Sequence, residues 1–295
     1  MRDGAAVLGM DAAWTVRQPS GIALVQLNAG RWRCLGIAPS YQSFEDLAAS
    51  TPVDWAQRHK GSQPSMERLL TAAQRLAGTP VSLIAVDMPL ATEPIDGRRT
   101  ADHEVSRHFG SRGCSVHSPG RERPGRLADD IRAELQALGY ELQTAAVHSQ
   151  GPGVMEVYPH VALLALLERH YRVPYKVSRS LQYAKEEGLS RQERMERLLK
   201  EFQQIRAGLQ RRIAAIDLPL PDVADVASLA ALKPLEDCLD ALICAWVGIE
   251  HLQGRTRGLG DRTAAIWCPE AAFRTGGEKA AEHGKLPSPA QSSHE

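Results

Sequence analysis

Val7-Leu8-Gly9-Met10-Asp11, followed after the turn signal Gln18-Pro19-Ser20 by Gly21-Ile22-Ala23-Leu24-Val25-Gln26-Leu27, decides the fold of this chain. Both runs are apolar, short and bounded by turn residues. They read as two strands of a hairpin. Arg31–Pro39 adds a third strand around Trp32, Cys34, Leu35 and Ile37. Over residues 64–77, Met66, Leu69, Leu70, Ala73 and Leu76 recur at helical spacing. Residues 81–86 (Val-Ser-Leu-Ile-Ala-Val) are largely apolar and lie between Pro80 and Pro89, as a central strand buried on both faces does. Three strands, a helix and a central strand form an α/β opening.

Carboxylates interrupt these apolar runs. Asp11 ends the first strand and Asp87 follows Leu83-Ile84-Ala85-Val86. Asp237 and Asp240 lie in Leu235-Glu-Asp-Cys-Leu-Asp-Ala-Leu-Ile-Cys-Ala-Trp246. A charge in such surroundings costs several kcal/mol unless it is paired or binds a cation. If the first and central strands are parallel neighbours, Asp11 and Asp87 project together at their carboxyl ends, where ligands of open α/β sheets gather. Asp237 and Asp240 are three apart and share a helix face. Hard oxygen ligands of this kind suit Mg²⁺ or Mn²⁺. Two such ions would support phosphodiester hydrolysis. Each acid also has a plainer reading, as a helix-dipole partner or a turn former. Their conjunction favours the metal site.

The 295 residues, 43% of them hydrophobic, suffice for one large domain. The reading is a single domain over 1–273, with an arginine- and glycine-rich helical and loop insertion over 92–150 and a disordered tail over 274–295. A net charge of +0 argues neither for nor against a nucleic-acid partner. Five cysteines without a CxxC pair exclude zinc-finger spacing and a disulfide framework, and reduced thiols imply a cytoplasmic location. Neither a signal peptide nor a membrane span is expected. Further along, Val154–Tyr158 reads as a strand and residues 161–170 as a helix. Residues 190–216 read as a helix opened by a Ser190/Glu193 capping box, and residues 234–251 as the last strong helix. Ala264–Cys268 is a final strand. The Arg31–Pro39 edge and the Ser190 helix are candidate surfaces for a homodimer.

Gly9-Met-Asp11 with its hairpin to Gly21, Ala85-Val-Asp87-Met-Pro89 and Asp237-Cys-Leu-Asp240-Ala-Leu together resemble the ribonuclease H-like superfamily. The last motif is similar to the metal-binding helix of Holliday-junction resolvases. More narrowly, the chain resembles the DUF429 family, predicted RNase H-like nucleases. Arg98 to Arg107, Ser115-Val-His117-Ser-Pro119, Glu156-Val-Tyr-Pro159-His160, Tyr175-Lys176 and Gly188 to Arg194 fit that family in order. Where the family often has a glycine-rich turn after the first aspartate, this chain has Ala12-Ala13-Trp14. The resemblance implies a ribonuclease H-like mixed sheet with flanking helices. It also implies metal ligation by Asp11, Asp87, Asp237 and Asp240, with Glu156 a further ligand or general base.

Residues 98–126 hold seven arginines against three acids, and residues 169–212 hold twelve Lys and Arg against five. Arg107, Arg98 and Lys176 are the candidates for substrate phosphate, arginine through its planar fork. The function expected is a metal-dependent nuclease acting on DNA or RNA. Two alternatives stand beside it. One is a non-catalytic nucleic-acid-binding or regulatory module on the same fold. The other is an actin-like phosphotransferase, which lacks its glycine-rich phosphate loops here. Cys114 and His117 are too close in sequence for a confident nucleophile–base pair.

Overall fold

The computed structural model describes residues 3–147, 151–185 and 187–274. The expected disordered tail lies outside the described residues from 275 onward. β1 (Ala6–Asp11), β2 (Gly21–Asn28) and β3 (Arg31–Ala38) form the antiparallel meander that their turn signals require. β4 (Leu83–Val86) runs parallel to β1. β5 (Glu141–Leu142) and β6 (Gly153–Val157) follow, then β7 (Thr256–Gly260) and β8 (Ala265–Pro269). The sheet order is β3-β2-β1-β4-β6-β8-β7, with β5 paired to the first residues of β6. β4, β6 and β8 continue parallel to β1, and β7 closes the far edge antiparallel to β8. The fold is a mixed α/β sheet flanked by helices.

Side-chain alternation sends successive residues to opposite faces of the sheet. Ala6, Leu8, Met10, Ile84 and Val86 share one core with α1 (Tyr41–Ala48), α2 (Met66–Ala77) and α4 (Arg126–Ala137). Val7, Leu83, Ala85, Met155 and Val157 share the other. There they meet α3 (Thr100–Phe109), α5 (Pro159–Leu166), α7 (Arg191–Gln210) and α8 (Lys233–Leu252). Two short helices, α6 (Ser180–Tyr183) and α9 (Ala271–Arg274), complete the set. Residues 92–147 are built into this body. α3 buries Ala101, Val105 and Phe109 in the α8-side core, α4 packs on α2, and β5 extends the sheet.

Two helix ends and one strand differ from expectation. α5 ends at Leu166, four residues early, where Glu168 turns the chain at φ +53°. α7 keeps its capping box, with Glu193 N–H donating to Ser190 Oγ at 3.2 Å and Ser190 N–H to Glu193 Oε2 at 2.8 Å. It stops at Gln210, although Ile213 and Ile216 continue its apolar spacing. There the chain leaves the helix to pair with the sheet. Ala214 N–H donates to Trp32 O and Cys34 N–H to Ala214 O, each at 2.8 Å. This bridge covers part of the β3 edge considered for a dimer. β7 was unexpected because Thr-Arg-Gly-Leu-Gly has little strand propensity, and pairing with β8 imposes its shape.

α8 positions the site. It runs against β1 and β2 at contact distance because glycines remove the side chains between them. A Cβ on Gly9 would collide with the Ala241 carbonyl oxygen, and one on Gly21 with the Asp237 carbonyl. Further along, Gly248 leaves room for Val7. We expect Gly9→Ala to destabilise the fold by about 2 kcal/mol or more, since the new methyl meets helix backbone rather than a movable side chain. Gly97→Ala, which meets nothing within 4 Å, changes stability by less than about 0.5 kcal/mol. Urea unfolding of the two variants beside wild type measures the difference.

Candidate functional site

Asp11 closes β1 and Asp87 follows β4, so the two lie at the carboxyl ends of adjacent parallel strands. Alternation directs both toward α8, on the same face as Val7 and Ala85. Because α8 is drawn onto Gly21 and Gly9, its first turns bring Glu236, Asp237 and Asp240 to that strand end. Asp240 is 0% exposed, Glu236 1% and Asp237 4%. Five carboxylates therefore meet, and the four that the sequence singled out are among them.

Two lysines enter this cluster. Lys176 Nζ donates to Asp240 Oδ2 and lies 3.3 Å from Glu236 Oε1. Lys233 Nζ donates to Asp237 Oδ1 and, at 2.9 Å, to Glu236 Oε1. Tyr175 Oη donates to Asp240 Oδ1 at 2.5 Å, and Val177 N–H donates to Glu236 Oε2 at 2.6 Å. The loop carrying Tyr175 and Lys176 is thus stitched to α8. Lys233 and Glu236 were not anticipated. Their signal was spacing, since Lys233, Glu236, Asp237 and Asp240 share one helical face.

Five acids against two lysines leave a surplus of negative charge, which appears in the protonation of the site. Burial first, then the neighbouring Asp237 carboxylate, pushes Asp11 up to about 7 against Lys176 and Lys233. Burial and then Asp11 hold Asp87 well above the usual carboxylate range. Asp240 is raised to about 6 by burial, with Lys176 opposing. Burial also raises Asp237 in spite of Lys233. Only Glu236 is lowered, because Lys176, Lys233 and the Val177 N–H together outweigh its burial. Among the described residues, no three His, Cys, Asp or Glu side chains are grouped so as to hold a metal ion as they stand.

The other expected residues fall elsewhere. Glu156 lies opposite Val86 in the register, so it points to the sheet face away from Asp11 and Asp87. Its carboxylate accepts from Arg99 Nη1 at 2.6 Å, Arg99 Nη2 at 2.7 Å and Leu90 N–H at 2.8 Å. Glu156 was expected as a ligand or general base; it lines the cavity described next and acts on Asp87, with both oxygens engaged by Arg99 and the Leu90 N–H. Arg98 is likewise spent on structure, donating to Val116 O at 3.2 Å and Ser118 Oγ at 3.0 Å. Arg107 is 66% exposed and pairs with Glu104. Neither of these two arginines lines the cavity described next. Cys114 is buried, and its thiol is pushed up to about 11 by that burial, so it is no thiolate nucleophile. All five cysteines are free and buried.

A cavity of about 600 Å³ opens over Asp11, Asp87, Glu236 and Asp237. Its wall includes Trp14, with the Arg123 guanidinium 5.8 Å over the indole ring. Arg172 and Arg179 line it farther round, beside His117 and His160. Arg172 Nη2 lies 2.6 Å from His160 Nε2, and Arg172 Nη1 donates to Gly113 O at 3.3 Å. No helix among the described residues is long and apolar enough to cross a membrane.

Residues 9–265 match the model of a family described as "Protein of unknown function (DUF429)". No curated protein and no solved structure matches.

Two outcomes follow from these charges. Between about pH 4 and pH 7 the folded state keeps a proton on Asp11 that the unfolded chain has released, so stability falls as pH rises through that window. Thermal unfolding from pH 4 to 8 without added metal is expected to show this fall in wild type. Asp11→Asn makes the fall shallower, since Asp87, Asp237 and Asp240 keep their own raised pKa, and is the more stable protein at pH 8. Lys176→Met leaves Asp240 and Glu236 buried without that cation and destabilises by about 3–5 kcal/mol at neutral pH, measurable by denaturant unfolding.

Proposed function

The chain belongs to the DUF429 family, and on that footing we propose that it is a divalent-metal-dependent nuclease built on a ribonuclease H-like sheet. It hydrolyses phosphodiester bonds of DNA or RNA. One observation carries the reading: at the carboxyl ends of β1 and β4, five converging carboxylates outnumber the lysines that neutralise them, and Asp11 and Asp87 face the cavity. Perturbed acids grouped in a cleft mark functional sites more often than structural ones. The β3-β2-β1-β4 order, with β2 antiparallel to β1, supports the ribonuclease H-like assignment.

The donor set fits a hard divalent cation. It is all oxygen, and two lysines leave its five carboxylates with a net negative charge. Asp11 and Asp87 would hold Mg²⁺ or Mn²⁺, with Asp237 beside them. Held there, such an ion would lower the pKa of a water and neutralise charge on the phosphoryl oxygens. The rest of the work belongs to the chain. Lys176 and Tyr175 fix Asp240, and Lys233 fixes Asp237, so the acids enter the reaction already oriented. The Arg99 brace keeps Glu156, and with it the β6 end, in place. Trp14 walls the cavity on the Arg123 side and limits water.

A non-catalytic nucleic-acid-binding module is the second reading. The observation that favours it is the internal neutralisation of Glu236, Asp237 and Asp240 by Lys176 and Lys233. Calorimetric titration of Mn²⁺ and Mg²⁺, followed by cleavage assays on single-stranded, branched and RNA substrates, separates the two. Under the nuclease reading, Asp11→Asn and Asp87→Asn each lose more affinity and turnover than the roughly 10–100-fold that a supporting residue costs. Metal affinity also rises from pH 6 to 8 as Asp11, at about 7, gives up its proton. Nucleic-acid binding without cleavage under any divalent metal would instead establish the module.

A further inference from the structure

The cavity has a second charged wall that the reading above does not use. Arg172 and Arg179 line it, and among the described residues none of their hydrogen-bond partners is a carboxylate. Arg172 reaches His160 and Gly113 O, and its Nε has no partner. Arg179 makes two long contacts, 3.5 Å to Gln182 Oε1 and 3.4 Å to His117 Nε2. The other cavity cations are engaged differently: Lys176 and Lys233 hold carboxylates, and Arg123 covers Trp14. The principal cations acting on Asp11 are those two lysines, not the arginines. Acid and arginine therefore share one cavity without neutralising each other.

His160 shows that this wall is constructed. Arginine only donates, so His160 Nε2 accepts from Arg172 and the ring proton sits on Nδ1. The ring is 5% exposed, and its Nδ1 has no partner. It is packed edge-on against Tyr158 and Tyr175, with centroids at 5.3 and 5.4 Å. Burial and the charges of Lys176, Arg172 and Arg179 hold it well below the usual histidine range, so it stays neutral. A neutral, immobilised acceptor orients Arg172 without cancelling its charge. Both guanidinium charges act on the same His160 ring, and no acid among the described residues hydrogen-bonds either of them.

We propose that Arg172 and Arg179, with His117 beside Arg179 and His160 as the positioning residue for Arg172, form a subsite for a phosphate group of a nucleotide-sized ligand. A planar guanidinium pairs two donors with two phosphate oxygens, and a pair of them suits an oxyanion better than an isolated lysine does. The volume of about 600 Å³ accommodates a ligand of mononucleotide size. The proposal rests on the nuclease reading for the identity of the ligand, but not for the existence of the site. Within that reading, a phosphate held here sets the distance between a strand's anchored phosphate and the bond presented to Asp11 and Asp87.

The test is titration of inorganic phosphate into the full chain without metal, by calorimetry, for wild type, Arg179→Gln, Arg172→Gln and Asp87→Asn. Arg179→Gln is the decisive variant, because that side chain makes only two long contacts among the described residues, to Gln182 and His117. Wild type is expected to bind, each arginine variant to weaken binding about tenfold, and Asp87→Asn not to weaken it. Oligonucleotides with a 5′-phosphate, a 3′-phosphate or hydroxyl ends then identify the source. Preference for one phosphorylated end that Arg179→Gln abolishes assigns a terminal phosphate. Equal binding of all three, weakened by Arg179→Gln, assigns an internal phosphodiester. Phosphate that fails to bind wild type, or binds Arg179→Gln and Arg172→Gln as well as wild type, overturns the subsite. These outcomes are independent of turnover: phosphate binding without cleavage removes the nuclease reading alone, whereas cleavage with an arginine-insensitive phosphate affinity removes the subsite alone.

Discussion

The contact of α8 with β1 and β2 is the constraint on which the rest of the structure depends. Helix backbone approaches strand backbone only where no side chain intervenes, and Gly9 and Gly21 provide that space. The approach has two consequences. It buries α8 deeply, with residues 235–249 buried throughout. It also carries the polar first turns of that helix to the strand ends occupied by Asp11 and Asp87. Core packing and site assembly are therefore one event, and a shift of α8 along the sheet would disturb both.

The charge arrangement follows from that packing. Carboxylates drawn into a dry junction repel one another, and the fold answers with two ammonium groups and a phenol rather than with apolar replacements. Lys233 comes from α8 itself and Lys176 from a distant loop. The second is the more informative, because it ties the Tyr175–Val177 segment to α8 through Asp240 and Glu236. Such networks stabilise less than well-packed apolar residues of the same size. Retaining one here leaves Asp11 and Asp87 short of positive charge, which the proposed function would put to use at some expense of stability.

A comparable brace organises the other face. Arg99 joins Asp102 at 2.7 Å, Glu156 at 2.6 Å and the Leu90 carbonyl at 2.8 Å, so one guanidinium links the start of α3, the end of β6 and the chain after β4. Residues 92–147 read in sequence as an insertion because they are rich in arginine, glycine and polar side chains. In the fold they carry a buried hinge of this kind and several core residues. Their polarity reflects the service of particular arginines to the main body rather than separation from it.

The sequence by itself determined the strand meander, the central strand, α8 and the meeting of Asp11, Asp87, Asp237 and Asp240. The physical reason is that each of these acids breaks an apolar run, and a buried charge has few acceptable partners. Periodicity also located α2 and the start of α7, where caps and apolar spacing coincide. Tertiary structure alone decided the end of α7, since the pairing of Ala214 with β3 overrides an apolar spacing that continues to Ile216. It alone assigned Glu156 to Arg99, because face is set by strand register and a shift of one residue reverses it. It alone selected Lys176 and Lys233 from thirty-five basic residues as the counter-ions, and Arg172 and Arg179 as the second wall. Long flexible cations in loops carry no periodic signature, and only the folded chain determines which of them comes within reach of the acids.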